Sequence, residues 1–177
     1  ARDHGLWVEV LGEDGSRADP DYLERLMAAA LDAGADRVCY CDTVGHADPG
    51  LTYETVSRLS ELGPTSTHTH DDLGLSVANA LASVAAGADL VHATVNGVGE
   101  RAGNAALEEV AVALWHCYDR EPVDVSHLHR LSQAVAEATG VPVAPNKAVC
   151  GDNAFAHESG IHTDGTLKDD RTYEPYP

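Results

Sequence analysis

Two histidines, His68 and His70, sit one residue apart in the run Thr67-His68-Thr69-His70-Asp71-Asp72-Leu73-Gly74-Leu75. Thr65 to His70 reads as a β-strand, and side chains two apart on a strand project to the same side. Paired imidazoles on a rigid strand can offer two nitrogens to a divalent metal, and the acidic pair just beyond them lowers the local potential. Two surface histidines on an edge strand would look the same in a chain with 10 histidines, so the motif needs its neighbours. Those neighbours are polar too. Glu13-Asp14, Asp42-Thr43 and the run Asn96 to Asn104 (NGVGERAGN) each follow a short apolar segment. Gly97, Gly99 and Gly103 lack the spacing of a dinucleotide fingerprint and read as a tight loop beside the histidines.

The elements that must position these residues alternate strand with helix. Leu6 to Leu11 (LWVEVL) reads as a strand, and Asp19-Pro20 opens a helix that runs to about Ala33, with Asp as N-cap and Pro in the first turn. Arg37 to Cys41 is a second strand, and Asp48-Pro49 starts its helix in the same way. The histidine strand is followed by a helix over Ser76 to Ala86. Leu90 to Val95 is the fourth strand, with a helix from about Asn104 to Tyr118 that would make Asn104 its N-cap. Leu31-Asp32-Ala33-Gly34-Ala35-Asp36 is echoed by Val84-Ala85-Ala86-Gly87-Ala88-Asp89, each a helix closed by glycine and feeding an apolar strand. Successive βα units predict a parallel sheet with right-handed crossovers. A doubly wound sheet and a barrel both satisfy that pattern. Reactive side chains at the C-terminal end of every strand favour the TIM barrel. Beyond Tyr118, Asp124 to Ala138 predicts an amphipathic helix stopped by Gly140, then a proline-bounded connector over Val141 to Pro145. The opening Ala1 to Gly5 reads as a helix end capped by glycine.

Composition bounds the function. The 177 residues, 44% of them hydrophobic, suffice for one ordinary core. With 29 acidic against 11 basic residues the net charge is −18, and only Lys147 and Lys168 are lysines. Such a surface repels phosphate backbones and anionic lipid, which disfavours nucleic-acid and membrane partners. An acidic, lysine-poor coat suits concentrated salt, so a halophilic source is expected. Cys39, Cys41, Cys117 and Cys150 fit neither a zinc ribbon nor a disulfide framework. A reducing cytoplasm is the expected setting, with Cys39 and Cys41 acting as small buried hydrophobes. No apolar run reaches the ~18 residues of a membrane span.

The run STHTHDDLGLSVA, taken with NGVGERAGN, DTVG at Asp42 to Gly45 and ESGIH at Glu158 to His162, closely resembles the family of 2-isopropylmalate, citramalate and homocitrate synthases. That resemblance implies an α/β TIM (β/α)8 barrel that condenses acetyl-CoA with a 2-oxo acid, using a divalent metal (zinc, manganese or magnesium). It places strands five to eight of the barrel in residues 1–121 and the start of a helical subdomain in 122–177. The first four strands would lie outside this chain. By the same resemblance His68, His70 and Asn104 are metal-binding, Thr43 binds the substrate carboxylate, and Glu13 and His162 are catalytic. A further Asp ligand and a substrate-binding Arg belong to the absent first strand.

The resemblance further implies a small-molecule 2-oxo acid and acetyl-CoA as partners and a homodimer for the full-length protein. The 2-oxo acid is expected to be 2-oxoisovalerate, giving 2-isopropylmalate for leucine biosynthesis, with citramalate or homocitrate synthase as alternatives. A non-catalytic fragment is the alternative of another class. Lyases of the 3-hydroxy-3-methylglutaryl-CoA type carry a cysteine where this chain has Glu100-Arg101-Ala102-Gly103, which favours the synthase reading. Half a barrel expressed alone would leave two open edges and an apolar inner face, and is expected to self-associate and to be inactive.

The charge generates a prediction. Raising potassium chloride from about 0.1 M to about 2 M shortens the screening distance from ~10 Å to under ~3 Å. The melting temperature should rise with it, because carboxylate self-repulsion is then screened. Coincident thermal melts at the two salt concentrations would contradict the halophile reading.

Overall fold

The computed structural model describes residues 1–174 and 176. The chain divides into two compact units, residues 1–110 and 111–177.

The first unit is built from βα steps: β1 (Glu9–Gly12), α1 (Pro20–Asp32), β2 (Arg37–Asp42), α2 (Pro49–Ser60), β3 (Thr65–Thr69), α3 (Ser76–Ala85) and β4 (Leu90–His92). The strands form one parallel sheet in the order β1-β2-β3-β4. The caps follow the sequence closely. Asp19 accepts the Tyr22 N–H at 2.8 Å and Asp48 accepts the Leu51 N–H at 2.8 Å, each satisfying a donor of the first helical turn just before a proline. Gly34 and Gly87 take φ of 95° and 104°. The N–H after each reaches back to the final helical turn, Ala35 to Ala30 O and Ala88 to Ser83 O, both at 3.0 Å. The two echoed segments are therefore the same helix-to-strand joint used twice. Arg2–His4 forms a short 3-10 turn ended by Gly5 at φ 71°.

One face of the sheet packs on the helices. Val38 and Tyr40 of β2 meet Leu23 and Met27 of α1 and Val56 and Leu59 of α2 in a core whose members are at most 2% exposed. The opposite face is mixed. Glu9, Arg37, Ser66, His68 and His92 share it with Leu11, Cys39, Cys41 and Leu90, so the inner face expected to be apolar is mixed and carries a polar cluster. Flat neighbouring strands stand ~4.8 Å apart, which would separate β1 from β4 by about 14 Å. Yet Glu9 Oε2 of β1 lies 3.4 Å from His92 Nε2 of β4. Only a strongly curled sheet brings those side chains together, as the wall of a barrel does.

In the second unit, α4 (Leu107–Tyr118) runs on from residue 110. A 3-10 turn, Val125–His127, leads into α5 (Leu128–Thr139), which ends at Gly140 with φ 71°. The single helix expected from Asp124 is thus a tight turn followed by a helix, because Asp124 caps the turn by accepting from the Ser126 N–H and hydroxyl. Ala111, Val112, Leu128 and Cys150 form its buried cluster. α6 (Gly160–Lys168) follows. Among the described residues no helix is long and apolar enough to cross a membrane.

Met27 is fully buried between sheet and helices. Met27→Ala should lower unfolding free energy by about 2–5 kcal/mol through lost burial and the cavity left behind. Urea denaturation reads this directly, and a loss under about 1 kcal/mol would show that the site collapses and refills.

Candidate metal centre

His68 is inward-facing on β3, and His70 follows the strand's last paired residue. As expected from their spacing they face the same way, with Nε2 atoms 3.2 Å apart. Two ligands bound ~2.0–2.1 Å from one ion in neighbouring positions stand about 3 Å apart, so this separation fits a shared cation. His70 is 9% exposed and its Nδ1 is buried without a hydrogen-bond partner. Burial first, then the neighbouring His70 and His92, holds the His68 pKa below the ordinary imidazole range. His68 is therefore neutral at pH 7, as a metal-binding imidazole must be.

Asn104 joins them from the loop after β4. Its backbone bridges His70, its N–H donates to Gly97 O at 3.0 Å, and its side-chain Nδ2 lies 3.3 Å from His68 Nε2. The N-cap expected for Asn104 is corrected, since α4 begins at Leu107. The same amide turned over would present its oxygen to the point the imidazoles face. The loop closes this tightly because of its glycines. A Cβ on Gly99 would sit 1.9 Å from Asn104 Oδ1, and one on Gly103 would sit 2.0 Å from Gly97 O. Among the described residues no cluster of three or more His, Cys, Asp or Glu is arranged to hold a metal ion, so this chain offers two imidazoles and an amide.

The other expected residues have different local settings. Thr43, just past β2, accepts the Asp14 N–H on Oγ1 at 2.7 Å, which leaves its hydroxyl proton free to be donated. Asp42 beside it is buried and serves structure, accepting the His46 N–H at 2.9 Å and the Ala47 N–H at 3.2 Å. Glu13 is exposed in the turn after β1. His162 lies in the second compact unit, on α6, stacked on Tyr173 with ring centroids 4.1 Å apart and edge-on to His157 at 5.6 Å. Cys39 and Cys41 are buried with Sγ atoms 3.8 Å apart, in keeping with small buried side chains.

Sequence reasoning misses the polar floor beneath the histidines. Glu9 accepts from Arg37 Nε at 2.7 Å and from the Ser66 hydroxyl at 2.6 Å, while His92 stands edge-on to His68 at 5.5 Å. Burial works to raise the Glu9 pKa, but the hydrogen bonds from Ser66 and Arg37 and the charges of His92 and Arg37 win, and it is held below the ordinary carboxylate value. The signal that could reveal part of it is the break in an apolar run: Glu9 interrupts LWVEVL and His92 interrupts LVHATV, each at a position of the same strand face.

The His68 environment has a pH consequence. An imidazole whose folded pKa lies below its unfolded value contributes stability above the unfolded value, ~6.5, and loses it as pH falls through the folded value. A histidine-resolved NMR titration should place His68 below ~6.5 and bring it part of the way back in His70→Ala, where one neighbouring charge is gone. A His68 midpoint at or above that value would contradict the burial argument.

Residues 1–135 match the family described as HMGL-like, and residues 149–177 match that described as homocitrate synthase post-HMGL domain-like. The chain is 55% identical to a putative (R)-citramalate synthase CimA of Methanothermobacter thermautotrophicus, covering 99% of this chain and 36% of that protein. It is 50% identical to 2-isopropylmalate synthase 2 of Caldanaerobacter subterraneus, covering 99% of this chain and 47% of that protein. The chain thus spans less than half the length of these relatives. A solved HMG-CoA lyase from Bacillus subtilis superposes with a TM-score of 0.71 at 22% identity, over 81% of this chain and 53% of that one. At that identity the likeness speaks for the fold, and the partial TIM barrel expected from sequence is borne out. With an HMGL-like match over most of its length, and with synthase relatives aligned end to end, the chain belongs to the HMGL-like family, as its four motifs implied.

Proposed function

We propose that the full-length protein is a metal-dependent acyltransferase that condenses acetyl-CoA with a 2-oxo acid. The observation that carries this is the pair of Nε2 atoms 3.2 Å apart with the Asn104 amide 3.3 Å from one of them, at the C-terminal end of a curled parallel sheet. His68, His70 and Asn104 would hold a divalent cation, which supplies Lewis-acid polarisation of the oxo carbonyl. Zinc, manganese and magnesium are the candidates; the two imidazoles favour zinc, and oxygen donors such as the amide favour manganese or magnesium.

The remaining roles belong to side chains. Thr43 donates its free hydroxyl proton to the substrate carboxylate, since Asp14 N–H already occupies an acceptor site on its oxygen. His162, an imidazole stacked on Tyr173, exchanges the proton of the acetyl methyl group, and Glu13 acts near the acetyl group. The methyl carbon so activated forms the new bond to the oxo carbon, the carbonyl oxygen becomes a hydroxyl, and water cleaves the thioester to release the CoA thiol. The Asp ligand and the Arg implied by the family resemblance would come from residues outside this chain, which by itself is then inactive. Residues 1–121 would belong to the barrel and 122–177 to the subdomain; the HMGL-like match itself runs on to residue 135.

The names of the relatives point to more than one substrate. A citramalate synthase name points to pyruvate, and a 2-isopropylmalate synthase name supports the 2-oxoisovalerate expected from sequence and hence a place in leucine biosynthesis. Pyruvate is the first to test, given the 55% identity.

Thiol release from acetyl-CoA by the full-length protein, with pyruvate, 2-oxoisovalerate and 2-oxoglutarate in turn, should show one clear preference. His68→Ala or His70→Ala should reduce turnover by at least about a thousandfold while circular dichroism stays unchanged. Full activity and unchanged metal content in either variant would overturn the site assignment.

A further inference from the structure

The loops beyond the strand ends are tied together by a side chain to which the proposed chemistry gives no role. Arg101, in the loop after β4, donates Nε to Asp72 Oδ1 at 2.7 Å and Nη2 to Asp72 Oδ2 at 2.8 Å. Its Nη2 also donates to the Thr43 carbonyl oxygen at 2.8 Å. Asp72 stands two residues past His70 and Thr43 follows β2, so one guanidinium joins the loops after β2, β3 and β4. The Thr43 hydroxyl, bonded to Asp14 N–H, brings in the loop after β1. Thr43 is thereby held from both sides, its carbonyl by Arg101 and its hydroxyl by Asp14. Arginine suits the task because its planar fork fills both carboxylate oxygens and still has a donor directed at a carbonyl, whereas an ammonium presents a point charge. The backbone is shaped for it as well: Arg101 takes φ 56°, uncommon for a residue with a side chain.

Resting on the reading of Thr43 as the carboxylate-binding residue, we propose that Arg101 is a positioning residue that sets the Thr43 hydroxyl for the 2-oxo acid, acting through the Thr43 peptide and not by touching substrate. The charge of Arg101 is spoken for by Asp72, whose carboxyl is held below its ordinary pKa chiefly by that hydrogen-bonded guanidinium. The pair is exposed, 45% for Arg101 and 25% for Asp72, so it adds little to stability and its effect is on placement.

The test uses the full-length protein, with thiol release read against 2-oxo acid concentration. Arg101→Ala should raise the KM for the oxo acid about tenfold, with a smaller fall in kcat and unchanged metal content. Its melting temperature should move by only a few degrees. Arg101→Lys, which keeps the charge and loses the fork, should behave like Arg101→Ala. Thr43→Val should also raise KM, and the double variant Thr43→Val with Arg101→Ala should be no worse than Thr43→Val alone, because both act through one hydroxyl. Should Arg101→Ala unfold the protein, Asp72→Asn breaks the clamp from its other end and is expected to raise KM in the same way. A KM restored by Arg101→Lys, or a double variant whose effect is the product of the two single ones, means direct attraction of the anionic substrate and overturns the proposal. A raised KM in Thr43→Val with none in Arg101→Ala overturns it while sparing the Thr43 reading. A wild-type KM in Thr43→Val removes both.

Discussion

The curl of the parallel sheet is the constraint on which the site depends. Strand pairing alone puts His68 opposite Cys41 and His92 and sends alternate side chains to one face. Curvature then turns that face into a concave wall, on which a carboxylate of β1 reaches an imidazole of β4 at 3.4 Å. Burying charged groups on such a wall is unfavourable unless they are paired, and here they are: Glu9 with Arg37, Ser66 and His92. The polar floor therefore supports the wall while keeping it hydrophilic enough to carry chemistry. The apolar packing that drives folding is delegated to the outer face, where Val38 and Tyr40 meet the helices.

Strands end where precision is needed, and the loops restore it by bonding to one another. Asp71 N–H donates to Gly103 O at 2.9 Å, Ala105 N–H to Thr69 O at 3.2 Å, and His70 and Asn104 form a bridge. These backbone ties explain how a residue so far along the chain as Asn104 comes within 3.3 Å of His68. The close approaches leave no room for side chains at Gly99 and Gly103, so the glycines of NGVGERAGN shape the histidine site without contributing a functional group to it.

Much of this arrangement is legible in the amino-acid sequence. Period-two spacing puts His68 and His70 on one face, Asp19-Pro20 and Asp48-Pro49 mark helix starts, and Gly34 and Gly87 mark helix ends, because each of these signals is local. The points at which sequence and fold part share a cause, which is contact between residues distant along the chain. Asparagine suits a helix cap, but the Asn104 backbone instead joins His70 across the loop. Strand composition suggests an apolar inner face because it does not reveal which face a curved sheet encloses. Arg101 lies within the NGVGERAGN motif with no role evident from its neighbours, since its partners Asp72 and Thr43 are far from it in sequence.

X-ray absorption on the zinc-loaded full-length protein reads out whether His68 and His70 bind one cation together. The shell should contain two imidazole nitrogens at about 2.0–2.1 Å, with the outer-ring scattering of histidine, reduced to one in His70→Ala. A shell of oxygen alone, unchanged by that substitution, would contradict it.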